Sequence, residues 1–302
     1  MVRATFAAMR VSLFLPLGLL SLLACQSENK PAASPATVQV HDDLGRALTL
    51  PAHPRRVLAL APSLTEMLYA VADTATIIAR TQADDYPAAA LRKPLVNSYP
   101  LDMERLVALH PDVIFTVEGM TPPDAAARLG ELGISVYYQK YRRVADVLRG
   151  INDLGRLLGR SPQAKRLTDS LQAQLAQLGP APAAARPTVL ALASADPIYV
   201  YGQNTLFTDE IRLAGGQNAV RDTFPQPFPA LTREYILKMN PEVVLGGRFG
   251  KLDSTFFKNN PELRRTSAYQ RRRVYATTPN LLQRPSPRIV EAVRELQALV
   301  RK

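Results

Sequence analysis

The residues of this 302-residue chain that could do chemistry do not assemble into a catalytic pattern. Its three histidines, His41, His53 and His110, fall in a hairpin, beside prolines and at a helix end. A helix-end histidine is ordinarily a cap or dipole partner, and the three lack the ligand spacing of a protein-held metal. The run Gly246-Gly247-Arg248-Phe249-Gly250-Lys251 has the outline of a phosphate loop. It fails as one, because Leu245 precedes it and Leu252, not Ser or Thr, follows the lysine. Neither G-x-G-x-x-G nor G-x-S-x-G occurs. That loop suits the mouth of a binding cleft, where Arg248 or Phe249 would touch a ligand. Ser63 and Glu66 have capping-box spacing. A helix beginning at Ser63 would turn its free N–H groups toward the end of the preceding strand, a unit α/β domains use to meet ligands. Glu104 and Glu234 fall at the second position of two matching helices, where the macrodipole favours an acid.

Those two helices belong to a segment that occurs twice. Asp102–Phe115 returns as Thr232–Leu245 at a constant offset of 130 (232 − 102). Each copy reads as a capped helix, a stop at x-Pro, an acidic residue and an apolar strand. Val57-Leu58-Ala59-Leu60 matches Val189-Leu190-Ala191-Leu192 at an offset of 132 (189 − 57). Two similar α/β lobes in one chain imply a cleft between them, where ligands prefer to bind.

Around these copies the pattern predicts a hairpin over 38–50, a strand over 56–61 and a helix from Ser63. Further strands are predicted over 76–79, 113–117 and 135–139, with a helix near 123–132. Alternating strands and helices imply a mostly parallel, doubly wound sheet. Val144, Val147, Leu148, Ile151, Leu154, Leu157 and Leu158 follow helical spacing. Ser161-Pro162 starts a fresh helix, with Leu167, Leu171, Leu175 and Leu178 in one narrow stripe. Its residues 162–178 would span about 26 Å, enough to cross from one lobe to the other. Pro180 to Pro187 is a linker. The second lobe then predicts strands over 188–192, 198–201, 243–245 and 274–276, and helices over 205–214 and 287–300.

The fold class expected is therefore α/β: two Rossmann-like lobes joined by one long helix, with the cleft between them. The expected boundaries are 1–24 for a leader, 25–36 for a flexible tether, 37–160 for the first lobe, 161–179 for the helix and 180–302 for the second lobe. Arg3 and Arg10 precede the apolar run Val11–Leu23, as in a signal peptide. Leu22-Leu23-Ala24-Cys25 resembles a lipoprotein cleavage box, which makes Cys25 the lipidation site. An acylated Cys25, the single cysteine, leaves no thiol and no disulfide in the mature chain. The formal charge is +11, or +9 without the leader's two arginines (11 − 2). That balance suits an acidic ligand or a membrane surface. Arg264-Arg265 and Arg271-Arg272-Arg273 raise nucleic acid as an alternative, but they lack interleaved aromatics and read as a solvated face.

From Val38 to Val300 the order of hairpin, Arg-Val-Leu-Ala-Leu-Ala-Pro-Ser-Leu-Thr-Glu, Asp-Tyr-Pro, the Met-Glu-Arg-Leu-Val-Ala-Leu-His-Pro-Asp-Val-Ile helix–strand segment, crossing helix and Ser-Pro-Arg-Ile-Val is recognisable. It resembles the helical-backbone (class III) substrate-binding lipoproteins of ABC importers, which carry vitamin B12, haem or ferric siderophores. The resemblance implies a monomeric, lipid-anchored, periplasmic receptor with no enzymatic activity and no resident cofactor. Its partners would be an ABC permease dimer with its ATPase subunits, and its cargo a cobalt- or iron-containing chelate. Glu104 and Glu234 match the family's glutamates that dock onto permease arginines. The branch most like this chain is the vitamin B12-binding one. There Arg284, in Asn280-Leu-Leu-Gln-Arg-Pro-Ser-Pro-Arg288, matches an arginine facing the corrin side groups, and Asn280 stands where an Asp is expected. Phe228 matches an aromatic cleft wall, and Ser63, Tyr86, Tyr99 and Arg248 complete the expected cleft set. The chain has no tryptophan, unlike the B12 branch. Tyr99 leads instead toward haem, whose ferric iron a phenolate can ligate. Corrinoid, haem and siderophore remain alternatives, with an α/β enzyme as a distant one.

Overall fold

The computed structural model describes Met1 and residues 36–179, 186–246, 252–278, 280–282 and 284–302. The expected leader, Cys25, nearly all of the tether, Arg248 and most of the Pro180–Pro187 linker lie outside the described residues. Pro35–Lys302 forms one compact unit.

The unit opens with an antiparallel hairpin, β1 (Thr37–His41) and β2 (Ala47–Pro51). The first half continues with β3 (Val57–Ala59), α1 (Pro62–Val71), β4 (Arg80–Thr81), β5 (Leu95–Val96), α2 (Met103–Ala108), β6 (Val113–Val117), α3 (Pro123–Glu131), β7 (Ser135–Gln139) and α4 (Val144–Leu157). Strands β3, β6 and β7 form a parallel sheet in that order, and β4 pairs β5 in a separate parallel ribbon. Helix α5 (Ser161–Gln177) leads into the second half. There β8 (Thr188–Ala195), β9 (Ile198–Val200), α6 (Leu206–Ala214), β10 (Gln217–Asn218), α7 (Arg233–Met239), β11 (Val243–Gly246), α8 (Leu252–Asn259), α9 (Ser267–Gln270), β12 (Val274–Ala276) and α10 (Ile289–Val300) follow. The parallel order is β10-β8-β11-β12, with β9 antiparallel on β8. The α/β class with parallel sheets is as expected.

The repeated segment builds the same local machine twice. Asp102 caps α2 by accepting the Arg105 N–H at 2.9 Å, and Thr232 caps α7 by accepting the Tyr235 N–H at 3.2 Å. Each cap satisfies a backbone donor that the helix cannot. Both copies leave the helix through a left-handed residue before proline, His110 (φ 43°) and Asn240 (φ 47°). The acid after the proline then staples the start of the neighbouring strand. Asp112 accepts the N–H groups of Arg55 and Arg56, and Glu242 accepts that of Thr188. The register matches too, with Val57 opposite Val113 and Val189 opposite Val243. These strands are apolar on both faces because helices cover both.

One hydrophobic core crosses the halves. It contains Leu64, Met67 and Leu68 of α1, Val147, Ile151 and Leu154 of α4, and Leu171 of α5, together with Leu206, Ile289 and Val290 from the second half. Leu175 and Leu178 touch both this core and that of the second sheet. Each buried leucine or isoleucine contributes about 1.5–3 kcal/mol, so this seam resists opening.

Two local expectations fail. Residues 76–79 are not a strand: Thr74–Thr76 is a 3-10 turn capped by Asp73, and Ile77 makes a single bridge to Val57. Ser63 does not cap α1. The helix starts at Pro62, the cap position is Ala61, and no side chain caps it. Pro62 supplies the first-turn geometry without a donor to satisfy, which frees Glu66 for another role.

Candidate functional site

The Glu66 side chain is almost wholly inaccessible, 1% exposed, although it carries a carboxylate. A buried carboxylate is tolerable only when paired and hydrogen-bonded. Its partners come from the other half of the chain. Arg288 donates Nε to Oε2 at 2.8 Å and Nη2 to Oε1 at 2.6 Å, a two-pronged contact, while Arg284 Nη1 reaches Oε1 at 3.3 Å. Both arginines lie in the segment that follows β12 and leads into α10. Its other end is held by Asn280, whose left-handed backbone (φ 65°) suits an asparagine. The Asn280 carbonyl accepts Arg288 Nη2 at 3.1 Å.

A second carboxylate completes the group. Arg284 Nη1 also donates to Asp85 Oδ1, and Asn280 Nδ2 donates to Asp85 Oδ2 at 2.8 Å. Asp85 is presented by its neighbour Asp84, which is buried and accepts the Thr81 N–H at 2.6 Å and the Thr65 hydroxyl at 3.2 Å. Burial raises the Asp84 carboxyl above its ordinary value, against the pull of those donors. For Asp85, partial burial works the same way but is outweighed by the Arg284 guanidinium and the Asn280 amide, so its carboxyl lies below the usual range. The Glu66 contact raises Arg288 further, against partial burial. Tyr86 closes one side, with the Arg288 guanidinium 4.6 Å from its ring centre. The group thus holds two carboxylates and two guanidinium groups, from α1, the loop after β4 and the segment before α10.

Of the expected cleft residues, Arg284 and Tyr86 meet here, and buried Ser63 lies one helical turn from Glu66 on the same face of α1. Tyr99 is 88% exposed, and its carbonyl accepts Gln82 Nε2 at 3.3 Å. Phe228 is half-exposed and meets Tyr201 edge to face, 5.2 Å between ring centres. Among the described residues no hydrogen bond or ring contact joins Tyr99 or Phe228 to the Arg284 cluster. Sequence reasoning missed Glu66, Asp85 and Arg288 as parts of this site. The only signal was their charge inside the segments Pro-Ser-Leu-Thr-Glu, Asp-Tyr-Pro and Pro-Ser-Pro-Arg.

Glu104 and Glu234 are exposed at the second positions of α2 and α7. Neither makes an ion pair among the described residues. The Glu234 carboxyl is held below its ordinary value by its own backbone N–H and by the Thr232 hydroxyl.

A profile of the periplasmic binding protein family matches residues 57–281, and the chain belongs to that family. The vitamin B12-binding protein of Pectobacterium carotovorum subsp. carotovorum is 29% identical over 215 residues, 70% of this chain and 78% of that protein. The crystal structure of the periplasmic vitamin B12-binding protein BtuF of Vibrio cholerae superposes with a TM-score of 0.71 at 24% identity, covering 82% of this chain and 97% of that one. The periplasmic haem-binding protein BhuT, in complex with two hemes, gives a TM-score of 0.71 at 26% identity over 81% and 98% of the two chains. This chain is accordingly a periplasmic substrate-binding protein of ABC transport and not an enzyme. Proteins of this family bind small ligands and feed ABC permeases. Among the described residues no helix is long and apolar enough to cross a membrane.

Proposed function

We propose that the two halves act as Rossmann-like lobes around a cleft, with the helix over 161–179 as their backbone, and that the cleft captures a corrinoid. The observation that carries the ligand choice is the charge balance of the Glu66, Asp85, Arg284 and Arg288 group. A cluster of two acids and two bases presents no net charge to a ligand. The corrin ring bears uncharged carboxamides around its edge, each both donor and acceptor. Arg284 and Asn280 offer donors and Asp85 an acceptor at one place, which suits an amide. A ferric siderophore complex with net negative charge would favour an excess of arginine here, and a haem propionate would be repelled by Asp85. Tyr86 and Phe228, both half-exposed, are the aromatic surface proposed for the flat part of the ligand, with buried Tyr201 backing Phe228. The B12-binding relatives support the same choice.

Haem is the second reading, and one observation favours it. The Tyr99 side chain is almost fully exposed and its hydroxyl is available to a ferric iron. Calorimetric titration with cyanocobalamin, hemin and a ferric siderophore separates the readings. Cyanocobalamin alone is expected to bind, and Arg284→Ala to weaken it about a hundredfold, as for loss of a hydrogen-bonded charged contact. Tight hemin binding with a visible band lost in Tyr99→Phe would replace the corrinoid reading.

Cys25 is the proposed lipid anchor and residues 25–36 the tether. Glu104 and Glu234 are the proposed permease contacts, because matched exposed carboxylates can engage both subunits of a two-fold dimer at once. Glu104→Ala with Glu234→Ala is expected to leave ligand affinity unchanged and abolish uptake. Normal uptake in cells carrying the double variant would remove the docking assignment.

A further inference from the structure

Away from the Arg284 cluster, a cavity of about 730 Å³ opens where the loop between β7 and α4 meets α6 and β10. Five arginines line it: Arg142, Arg143, Arg186, Arg212 and Arg221. They come from both halves of the chain, and among the described lining residues the one carboxylate is Asp209. Asp209 is already committed. Its Oδ2 accepts the Val144 N–H at 2.9 Å, and its Oδ1 accepts Arg212 Nε and Nη2 at 2.9 and 2.7 Å. Arg142 is held by Glu118. Arg143, Arg186 and Arg221 make no ion pair among the described residues, and all three are exposed.

The neutral side chains between them are also engaged. Asn218 Nδ2 donates to the Tyr201 carbonyl and to Thr208 Oγ1, both at 2.8 Å, and Gln203 Nε2 donates to the Val220 carbonyl. The lining therefore has guanidinium donors in excess and no acid left to answer them. A concavity lined by one sign of charge focuses its field and raises the local concentration of counter-ions. Planar guanidinium forks match tetrahedral oxyanions, and one phosphate offers oxygens to several forks at once.

We infer that this cavity is a second binding site, separate from the ligand cleft, for a phosphate-bearing anion. Among the described residues, none of Ser63, Tyr86, Tyr99, Phe228 and Arg284 lines it. Two sources present the same chemistry outside the cytoplasm: a free oligophosphate and the phosphodiester of an anionic lipid headgroup. The first would be a soluble ligand, and the second would hold the protein against the leaflet.

The test titrates the mature full chain at constant ionic strength with pyrophosphate and with dihexanoyl-phosphatidylglycerol below its micellar concentration. Dihexanoyl-phosphatidylcholine, which has no net charge, is the comparison. At least one anionic probe is expected to bind, and the double variant Arg143→Ala with Arg221→Ala to lose about a hundredfold, since each contact to a charged group is worth about one decade. Arg264→Ala with Arg271→Ala removes the same charge from exposed positions outside the cavity and is expected to change nothing. Cyanocobalamin titration is expected to be the same for all forms. Pyrophosphate binding in preference to the lipid identifies a free phosphate, and the reverse identifies a headgroup. Should the Arg143/Arg221 variant fail to fold, Arg186→Ala reads the loss of one contact, about tenfold. Absence of binding by either anion, or equal loss in both double variants, overturns the site.

Discussion

Arg284 and Arg288 cross from the second half of the chain to meet Glu66 and Asp85, and their charges cancel. Along the flank of the same molecule, Arg142 and Arg143 approach Arg186, Arg212 and Arg221 with only Asp209 among them. The difference follows from solvent. Glu66 is inaccessible, so its charge must be answered within the fold by geometry that is nearly complete. The flank arginines keep contact with water, which screens their mutual repulsion, and Arg143, Arg186 and Arg221 make no ion pair among the described residues. A cluster closed on itself can present shape and hydrogen bonds to a neutral ligand. An open, unbalanced one can take a charged ligand. The two regions should therefore respond very differently to substitution.

The largest effect is expected from Glu66→Ala. It leaves half-buried Arg288 without its acid and Arg284 with Asp85 alone, and breaking a buried pair by removing one partner costs about 3–5 kcal/mol. In a chain of this size that lowers Tm by roughly 6–15 °C. Thermal unfolding of the unliganded protein reads it directly. A shift no larger than that of an exposed pair would mean that water already reaches Glu66, and the contrast between the regions would lose its basis.

Much of the frame that carries this cluster can be read from the chain. The duplicated segment predicts its own helix, cap, stop and strand because each step is local: a capping side chain three residues before its donor, a proline that ends the helix, an apolar run behind it. Short elements escape the same reading. Residues 76–79 carry β-branched types, yet the chain turns at Asp73 and only Ile77 reaches Val57. Strand β10 is two residues long, too short for any periodicity. Glu66 shows the sharper failure. Ser63 and Glu66 have the spacing of a capping box, and nothing nearby in sequence says otherwise. The partners that claim Glu66 lie 218 and 222 residues away, and Asn280 and Asp85 are 195 apart. Such ion pairs depend on how the two halves pack, which no local pattern encodes.

Helix α6 sharpens the comparison within two adjacent residues. Asp209 faces the flank cavity and is fully bonded. Glu210, next to it, is buried with neither carboxylate oxygen hydrogen-bonded. Burial, and to a lesser extent Asp209, push its carboxyl well above the ordinary value of 4.5. Between the two values the folded state holds a proton that the unfolded state releases. Stability contributed by this group is therefore present at acid pH and is lost as pH rises from the ordinary value toward the folded one. Glu210→Gln removes that titration. The Tm of the variant relative to the parent is expected to climb steadily between pH 4 and pH 8. A difference that stays constant over that range would show that water or a partner reaches Glu210 and keeps it ordinary.

The smallest effect is expected from Arg212→Ala, the flank counterpart of Glu66→Ala. Arg212 is 60% exposed and forms its pair three residues along the same helix. Such pairs contribute about 0–1 kcal/mol and are weakened by salt. Asp209 keeps its bond to the Val144 N–H, so the connection between α4 and α6 survives the substitution. Removing one guanidinium also relieves its repulsion with the four that remain, which offsets part of the loss. A Tm change within about 2 °C is expected, shrinking further at high salt. If instead Arg212→Ala destabilised the protein as much as Glu66→Ala, the flank arginines would be structural, and their excess of charge would no longer point to a ligand.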